Sequence, residues 1–318
     1  MEADSPSPIA SDPKNIEGVS LRIPLGITDL ESRSLFLQSA PSNLFHYTTL
    51  NGVQGIIESK TLRLTKAAYL NDRSELKHAI TLFQQVARSH VANLATDKAD
   101  VCDLLLDAAQ QLDSFQHTNI CLASFCENGD LLSQWRGYGG SGAGVALGFS
   151  GQALERVNQT GWAKLLRCIY HPAEQIAVIR DLVYILCNSY EVCKSGQPPE
   201  SNASIRKDLI GYFNTTFLQV APVLKNHHFA EEREWRIVTM PRKSTDLKFR
   251  ALVSNERVTQ YYVHDLGPVI SGNYDFLSTV VIGPTLEPQL ISDAIWTLCS
   301  KNKVSLNSIR FSQIPYRG

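Results

Sequence analysis

Leu44-Phe45-His46-Tyr47-Thr48 and Leu62-Arg63-Leu64-Thr65, on either side of Asn51–Ser59, set the terms for the rest of the chain. The flanking stretches carry apolar and β-branched residues with the period of two that marks strands. Val53, Ile56 and Ile57 between them recur at helical spacing. The reading is strand, short helix, strand. Asn71-Asp72 then offers an N-cap to a helix whose Leu76, Ala79, Ile80, Phe83, Val86 and Ala87 share one face. Helical periodicity returns near 99–113, 173–194, 203–224 and 287–302, with a helical turn over Leu131–Tyr138. Strands are expected at Ile120–Phe125, Gly144–Phe149, Leu165–Tyr170, Glu234–Val238 and Ser308–Phe311, and near 248–253, 260–264 and 279–282. The strands are short, and the helices gather between them without alternating regularly. That order predicts an α+β fold, not a doubly wound sheet, with helical insertions at about 74–113 and 173–224. Residues 1–25, opening in Ser, Pro and Asp, read as a loose arm before a single domain over 26–318.

Composition narrows the function classes. A chain of 318 residues with 43% hydrophobic and 19% charged residues is not disordered throughout and can bury a sizeable core. Its 30 Lys and Arg against 31 Asp and Glu give a net charge of −1, which argues against a broad electrostatic grip on nucleic acid or acidic lipid. A small basic pocket for one phosphate-bearing ligand stays open. The seven cysteines, at 102, 121, 126, 168, 187, 193 and 299, form no CxxC pair and no zinc spacing. Reduced thiols and a cytoplasmic location are expected. The acidic, proline-containing start is no signal peptide, and no apolar run approaches the roughly 20 residues of a membrane span, so no membrane partner is expected.

Several constellations invite chemistry. The glycines of 137–144 leave a helical turn and enter a strand, the reverse of a phosphate loop, so a flexible connection is the better reading. Asp72, Glu75 and Lys77 spell the carboxylate and E-x-K of metal-dependent nucleases. On a helix start, however, residues two apart do not face each other. His227-His228 with Glu231 and Glu232 lacks metal-ligand spacing, and no metal is expected. Phe229–Val238 says more. Read as a strand, it puts Glu232, Glu234, Arg236 and Val238 on one side and Arg233, Trp235 and Ile237 on the other. Two acids on one face repel unless Arg233 and Arg236 neutralise them, or unless a pocket needs a fixed anion. His46 reads first as a hydrogen-bonded structural residue, and Trp135 and Tyr138 as core.

The order of these blocks resembles a bacterial family of proteins of unknown function, domain-of-unknown-function family 2971. The resemblance runs through Phe45-His46-Tyr47-Thr48, Leu62–Thr65, Leu70–Glu75, Ser124-Phe125-Cys126-Glu127, Leu132–Tyr138, Gly144–Phe149, Phe229–Val238, Val281–Pro284 and Ser312–Arg317. More distantly, Leu44–Thr48 with its helix, and the late Glu232-Arg233-Glu234, are similar to ADP-ribosyltransferases of the His-Tyr-Glu kind. That resemblance implies an α+β core with a split, mostly antiparallel sheet, and NAD as substrate, with Glu234 as catalytic acid supported by Glu232. It implies His46 on a ribose, Tyr69 or Tyr138 stacked on nicotinamide, and Arg63 or Arg136 on the pyrophosphate. Tyr47, Thr48, Ser124 and Trp135 would complete the nucleotide site. Loss of nicotinamide leaves a ribosyl cation that a carboxylate stabilises, so the residue types suit the chemistry. The implied acceptor is a protein, a nucleic acid or water, and the implied roles include toxin and antiviral effector. The alternatives are a nucleotide- or partner-binding module without turnover on the same fold, and a metal-dependent nuclease. The sequence does not fix an oligomeric state.

Overall fold

A computed structural model describes residues 29–69, 74–94, 98–113, 119–139, 143–241, 245–246, 248–253, 258–267 and 277–315. The expected arm over 1–25, the Asn71-Asp72 cap and the middle of the glycine run lie outside these residues. The strands are β1 (Asn43–Thr49), β2 (Thr61–Lys66), β3 (Cys121–Cys126), β4 (Gly144–Ser150), β5 (Ala163–Arg167), β6 (Glu234–Thr239), β7 (Phe249–Val253), β8 (Val258–Asp265), β9 (Leu277–Ile282) and β10 (Ile309–Phe311). The helices are α1 (Leu50–Ser59), α2 (Ser74–Ala92), α3 (Ala99–Asp113), α4 (Leu132–Tyr138), α5 (Gly151–Glu155), α6 (Pro172–Lys194), α7 (Asn202–Val220) and α8 (Pro288–Lys301). The fold is mixed α and β around a largely antiparallel open sheet, and the parallel strand pair is β9 with β10.

The order β10-β9-β4-β1-β3-β2-β8-β7 conceals a fork. One edge of β3 pairs with β6 from Leu122 to Cys126, and β5 lies beyond β6. The other edge is shared: β1 meets it at Cys126 through Phe45, and β2 at Cys121 and Leu122 through Lys66 and Thr65. Between those contacts β1 and β2 diverge, and the sheet has a gap beside Ala123–Phe125.

Local chemistry explains the opening unit. Thr49 caps α1 by accepting a hydrogen bond from the Gly52 amide, and Lys60 ends it in the left-handed region at φ 51°. Val53, Ile56 and Ile57 are buried as their spacing predicts. They join α5, α8 and the β residues Leu64, Phe125, Leu147 and Trp235 in a core on one face of the sheet. The opposite face is covered by α2, α3, α6 and α7 packed on Leu122, Leu166 and Val238. Phe83, Phe213 and Phe217 interlock there, and burying each ring is worth roughly 1.5–3 kcal/mol. On that second face, nearer β1, α4 covers a smaller cluster of Phe45, Tyr47, Cys126, Trp135, Ala146 and Val281. The two expected helical insertions are therefore one packed layer. The strand expected over 165–170 is shorter and shifted, ending at Arg167.

Candidate functional site

Between the helical layer and α4, the second face carries a buried knot of charge. Cross-strand partners point to the same side of a sheet. Cys126 opposite Glu234, and Ser124 opposite Arg236, therefore place all four side chains on this face. Arg236 grips Glu234 with both arms of its guanidinium, Nε to Oε1 at 2.8 Å and Nη2 to Oε2 at 3.0 Å, and donates from Nη1 to the Pro222 carbonyl. Lys225 reaches the same acid from the segment after α7, with Nζ 2.5 Å from Glu234 Oε2 and 2.5 Å from Glu232 Oε2. Glu234, Arg236 and Lys225 are 2%, 3% and 6% exposed, so their charges are met by one another and not by water.

The strand expected to carry both acids does not. Glu232 closes a 3-10 turn, His227–Glu232, and β6 begins at Glu234. Arg233 between them sits in the left-handed region at φ 41°, uncommon for a residue with a Cβ. This kink, not strand alternation, brings both carboxylates to one lysine. Arg233 itself is turned outward, 3.8 Å from Glu127.

The two acids respond oppositely to their shared lysine. Burial alone would raise Glu234, but Arg236 and Lys225 outweigh it and hold the carboxyl down at about 2. At Glu232, burial outweighs the Lys225 bond and the carboxyl is raised. Burial would depress Lys225, yet Glu234 and Glu232 keep it firmly protonated. The Glu234 amide donates to the Tyr170 hydroxyl at 2.8 Å, and its carbonyl accepts from the Cys168 amide at 2.9 Å. Tyr138 is 44% exposed, yet surrounding protein and the nearby Glu234 charge raise its phenol. Among the described residues neither the Tyr138 hydroxyl nor that of half-buried Ser124 has a hydrogen-bonding partner. One permanent anion, one acid of raised pKa, a protonated lysine and two open hydroxyls converge here. Such an arrangement can stabilise a cation and exchange a proton at adjacent points.

His46 lies elsewhere. Phe45 pairs with Cys126, so His46 belongs to the opposite face, and its ring meets Phe125 at 5.7 Å. Its Nδ1–H donates to the Ser124 carbonyl at 3.0 Å, across the gap between β1 and β2. Burial lowers its pKa, which keeps the imidazole neutral. Tyr47 faces the knot's side, but its hydroxyl is engaged, donating to the Asn128 carbonyl and accepting from the Leu131 amide. Thr48 packs closely over Gly52 at the start of α1. Trp135 is buried edge-on against Tyr47, and its Nε1 donates to Asp130 at 2.8 Å. A Cβ on Gly144 would lie 3.0 Å from the Trp135 ring, so the glycine run makes room for this indole. Arg136 is exposed on α4, two residues from Tyr138. Arg63 is exposed on β2, its guanidinium 5.0 Å from the centre of the Tyr261 ring, and Tyr69 ends a short turn after β2. The structure thus brings together Glu232, Glu234, Ser124 and Tyr138, and puts His46 on the opposite face of the sheet.

Lys225 is the residue that sequence reasoning passed over. The usable signal was a lone lysine closing the apolar run Val220–Leu224, nine residues before Glu234. Asp72 lies outside the described residues, as does the Glu75 side chain. His227 and His228 stack on each other at 4.0 Å. Among the described residues no group of three His, Cys, Asp or Glu is placed to hold a metal ion, and no helix is long and apolar enough to cross a membrane.

Residues 134–237 match the family described as Protein of unknown function (DUF2971), a span from α4 to β6 that contains Tyr138, Lys225, Glu232, Glu234 and Arg236. No curated protein and no solved structure gives a significant match.

Proposed function

We propose that the protein is an ADP-ribosyltransferase-like, NAD-consuming enzyme that cleaves the nicotinamide–ribose bond at the Glu232–Glu234 knot. The supporting observation is the pair of carboxylates on one lysine, one held ionised and the other raised, beside the open hydroxyl of Tyr138. In this reading Glu234 is the fixed anion facing the ribosyl cation. Glu232 takes the proton of the incoming nucleophile, either water or an acceptor side chain or base. Tyr138 stacks on nicotinamide, Ser124 meets the ribose, and Arg136 holds the pyrophosphate at the rim. His46, expected to share one cleft with Glu234, lies on the opposite face of the sheet, which counts against the His-Tyr-Glu resemblance.

A second reading, nucleotide or partner binding without turnover, draws on a specific observation. Both oxygens of Glu234 are already engaged by cations, which weakens its field at a developing positive charge. Nicotinamide release from NAD by wild type, Glu232→Gln and Tyr138→Phe separates the two. Turnover by wild type, lowered at least tenfold in Glu232→Gln, supports cleavage. Silence from folded wild type, both alone and in cell lysate with labelled NAD, favours the binding module.

A further inference from the structure

α4, which carries Tyr138, has little of its own to hold it. It is seven residues long, and Leu131 at its N-cap supplies no side-chain hydrogen bond. A helix of two turns does not persist in water without tertiary contacts. Tyr138 bonds to no described side chain, so its position over the knot is set by the helix alone. Besides the packing of Trp135 on Tyr47 and the Leu131 amide on the Tyr47 hydroxyl, what fixes the helix is Asp130, half-buried in the loop after β3. Its Oδ1 accepts from Trp135 Nε1 at 2.8 Å and from the Ser312 hydroxyl at 2.6 Å, and its Oδ2 accepts from the Gln313 amide at 2.9 Å. Ser312 Oγ accepts in turn from the Ile314 amide at 3.1 Å, and its amide donates to the Ile282 carbonyl at 2.8 Å. The Ile314 side chain then packs against the small cluster formed by Phe45, Tyr47, Cys126, Trp135, Ala146 and Val281.

We infer that Ser312–Pro315 is a clasp that holds α4 in place through Asp130, and that Asp130 is the positioning residue for Tyr138. One carboxylate ties three separate parts of the chain: the loop after β3, the indole of α4 and the stretch after β10. Hydrogen bonds to a carboxylate are the stronger kind, so the tie concentrates much of what holds α4 in one side chain. The rest of the knot does not depend on it, because Glu234, Arg236 and Lys225 hang from β6 and the segment after α7. The inference needs no substrate and stands whether or not NAD is cleaved.

The test is hydrogen exchange by mass spectrometry on the full chain of wild type, Asp130→Ala, Asp130→Asn and Ser312→Ala. In Asp130→Ala, amides of 134–139 should exchange at least tenfold faster, while β3 and β6 keep their wild-type protection. Ser312→Ala should show a smaller acceleration at the same peptides. Asp130→Asn retains an oxygen for Trp135 and Ser312 and should recover part of the protection. A second readout is the tyrosine absorbance change lost on Tyr138→Phe. Burial of this phenol should hold its titration above the ordinary tyrosine value in wild type, and in Asp130→Ala it should move back toward that value. Unchanged exchange across 134–139 in both Asp130→Ala and Ser312→Ala would overturn the inference. So would an equal rise in β3 and β6, which would make Asp130 a determinant of global stability only.

Discussion

The two faces of the sheet beside the gap hold opposite solutions to burying polar groups. On one, Glu232, Glu234, Lys225 and Arg236 stay charged because two anions meet two cations within hydrogen-bonding distance. On the other, His46 lies against the Phe125 ring, meets no acidic side chain among the described residues, and stays neutral on one backbone carbonyl. A strand's period of two makes these neighbours in sequence strangers in space. The single pairing of Phe45 with Cys126 decides that His46 and Glu234 do not share a face. An expected catalytic pair is therefore a statement about register before it is one about chemistry.

The harshest way to break the contrast is Lys225→Met. It leaves two carboxylates beside one arginine, and removing one partner of a buried ion pair costs roughly 3–5 kcal/mol. Urea denaturation should show that loss, with Glu234 titrating higher than in wild type. A loss below about 1 kcal/mol would mean that water reaches the knot.

Acid titration of stability sharpens the comparison, since the two faces should fail in separate windows. The Glu234 pKa is depressed from its ordinary 4.5, so its contribution is intact above 4.5 and is lost as pH falls toward about 2. That difference corresponds to roughly 3 kcal/mol by linkage. The His46 pKa is also depressed, but for a base this means the unfolded chain takes up the proton first. Stability is then lost as pH falls below 6.5. Glu234→Gln should flatten only the lower limb and His46→Gln only the upper. His264, buried beside Trp162 and lowered to about 4, shares the upper window and remains in both variants. Identical profiles for wild type and both variants would refute the assignment.

The smallest effect belongs to the kink. Arg233→Gly relieves a left-handed residue with a Cβ but frees the unfolded chain, and the two nearly cancel, leaving a change within about 0.5 kcal/mol. Arg233→Val, β-branched at the same φ, should cost about 1–2 kcal/mol by thermal melting and displace Glu232 from Lys225.

Local periodicity carried most of the fold. Val53, Ile56 and Ile57 on α1, the alternation of Leu62 and Leu64, and the apolar face of α2 are buried as the sequence reads. The α+β order follows from the same signals. What periodicity could not carry is which strand edge β1 and β2 share, because that depends on pairings between residues far apart in the chain, Thr65 with Leu122 and Phe45 with Cys126. It also misplaced Glu232, since nothing in Glu232-Arg233-Glu234 announces a left-handed arginine. The partners of Lys225 were hidden for a related reason. It lies between α7 and β6 in a segment without period, anchored by its amide on the Ile169 carbonyl and by Gln175 on its own carbonyl.

The four charges of the knot sum to zero and are satisfied internally, so the knot projects little field into solution. Added salt, which shortens the reach of charge to about 3 Å at 1 M, has little to screen there. Any attraction of an anionic ligand at long range has to come from exposed arginines such as Arg136, and only that part weakens with ionic strength. Capture and chemistry would then answer to different variables, with salt governing arrival at the rim and proton activity governing the acids beneath it.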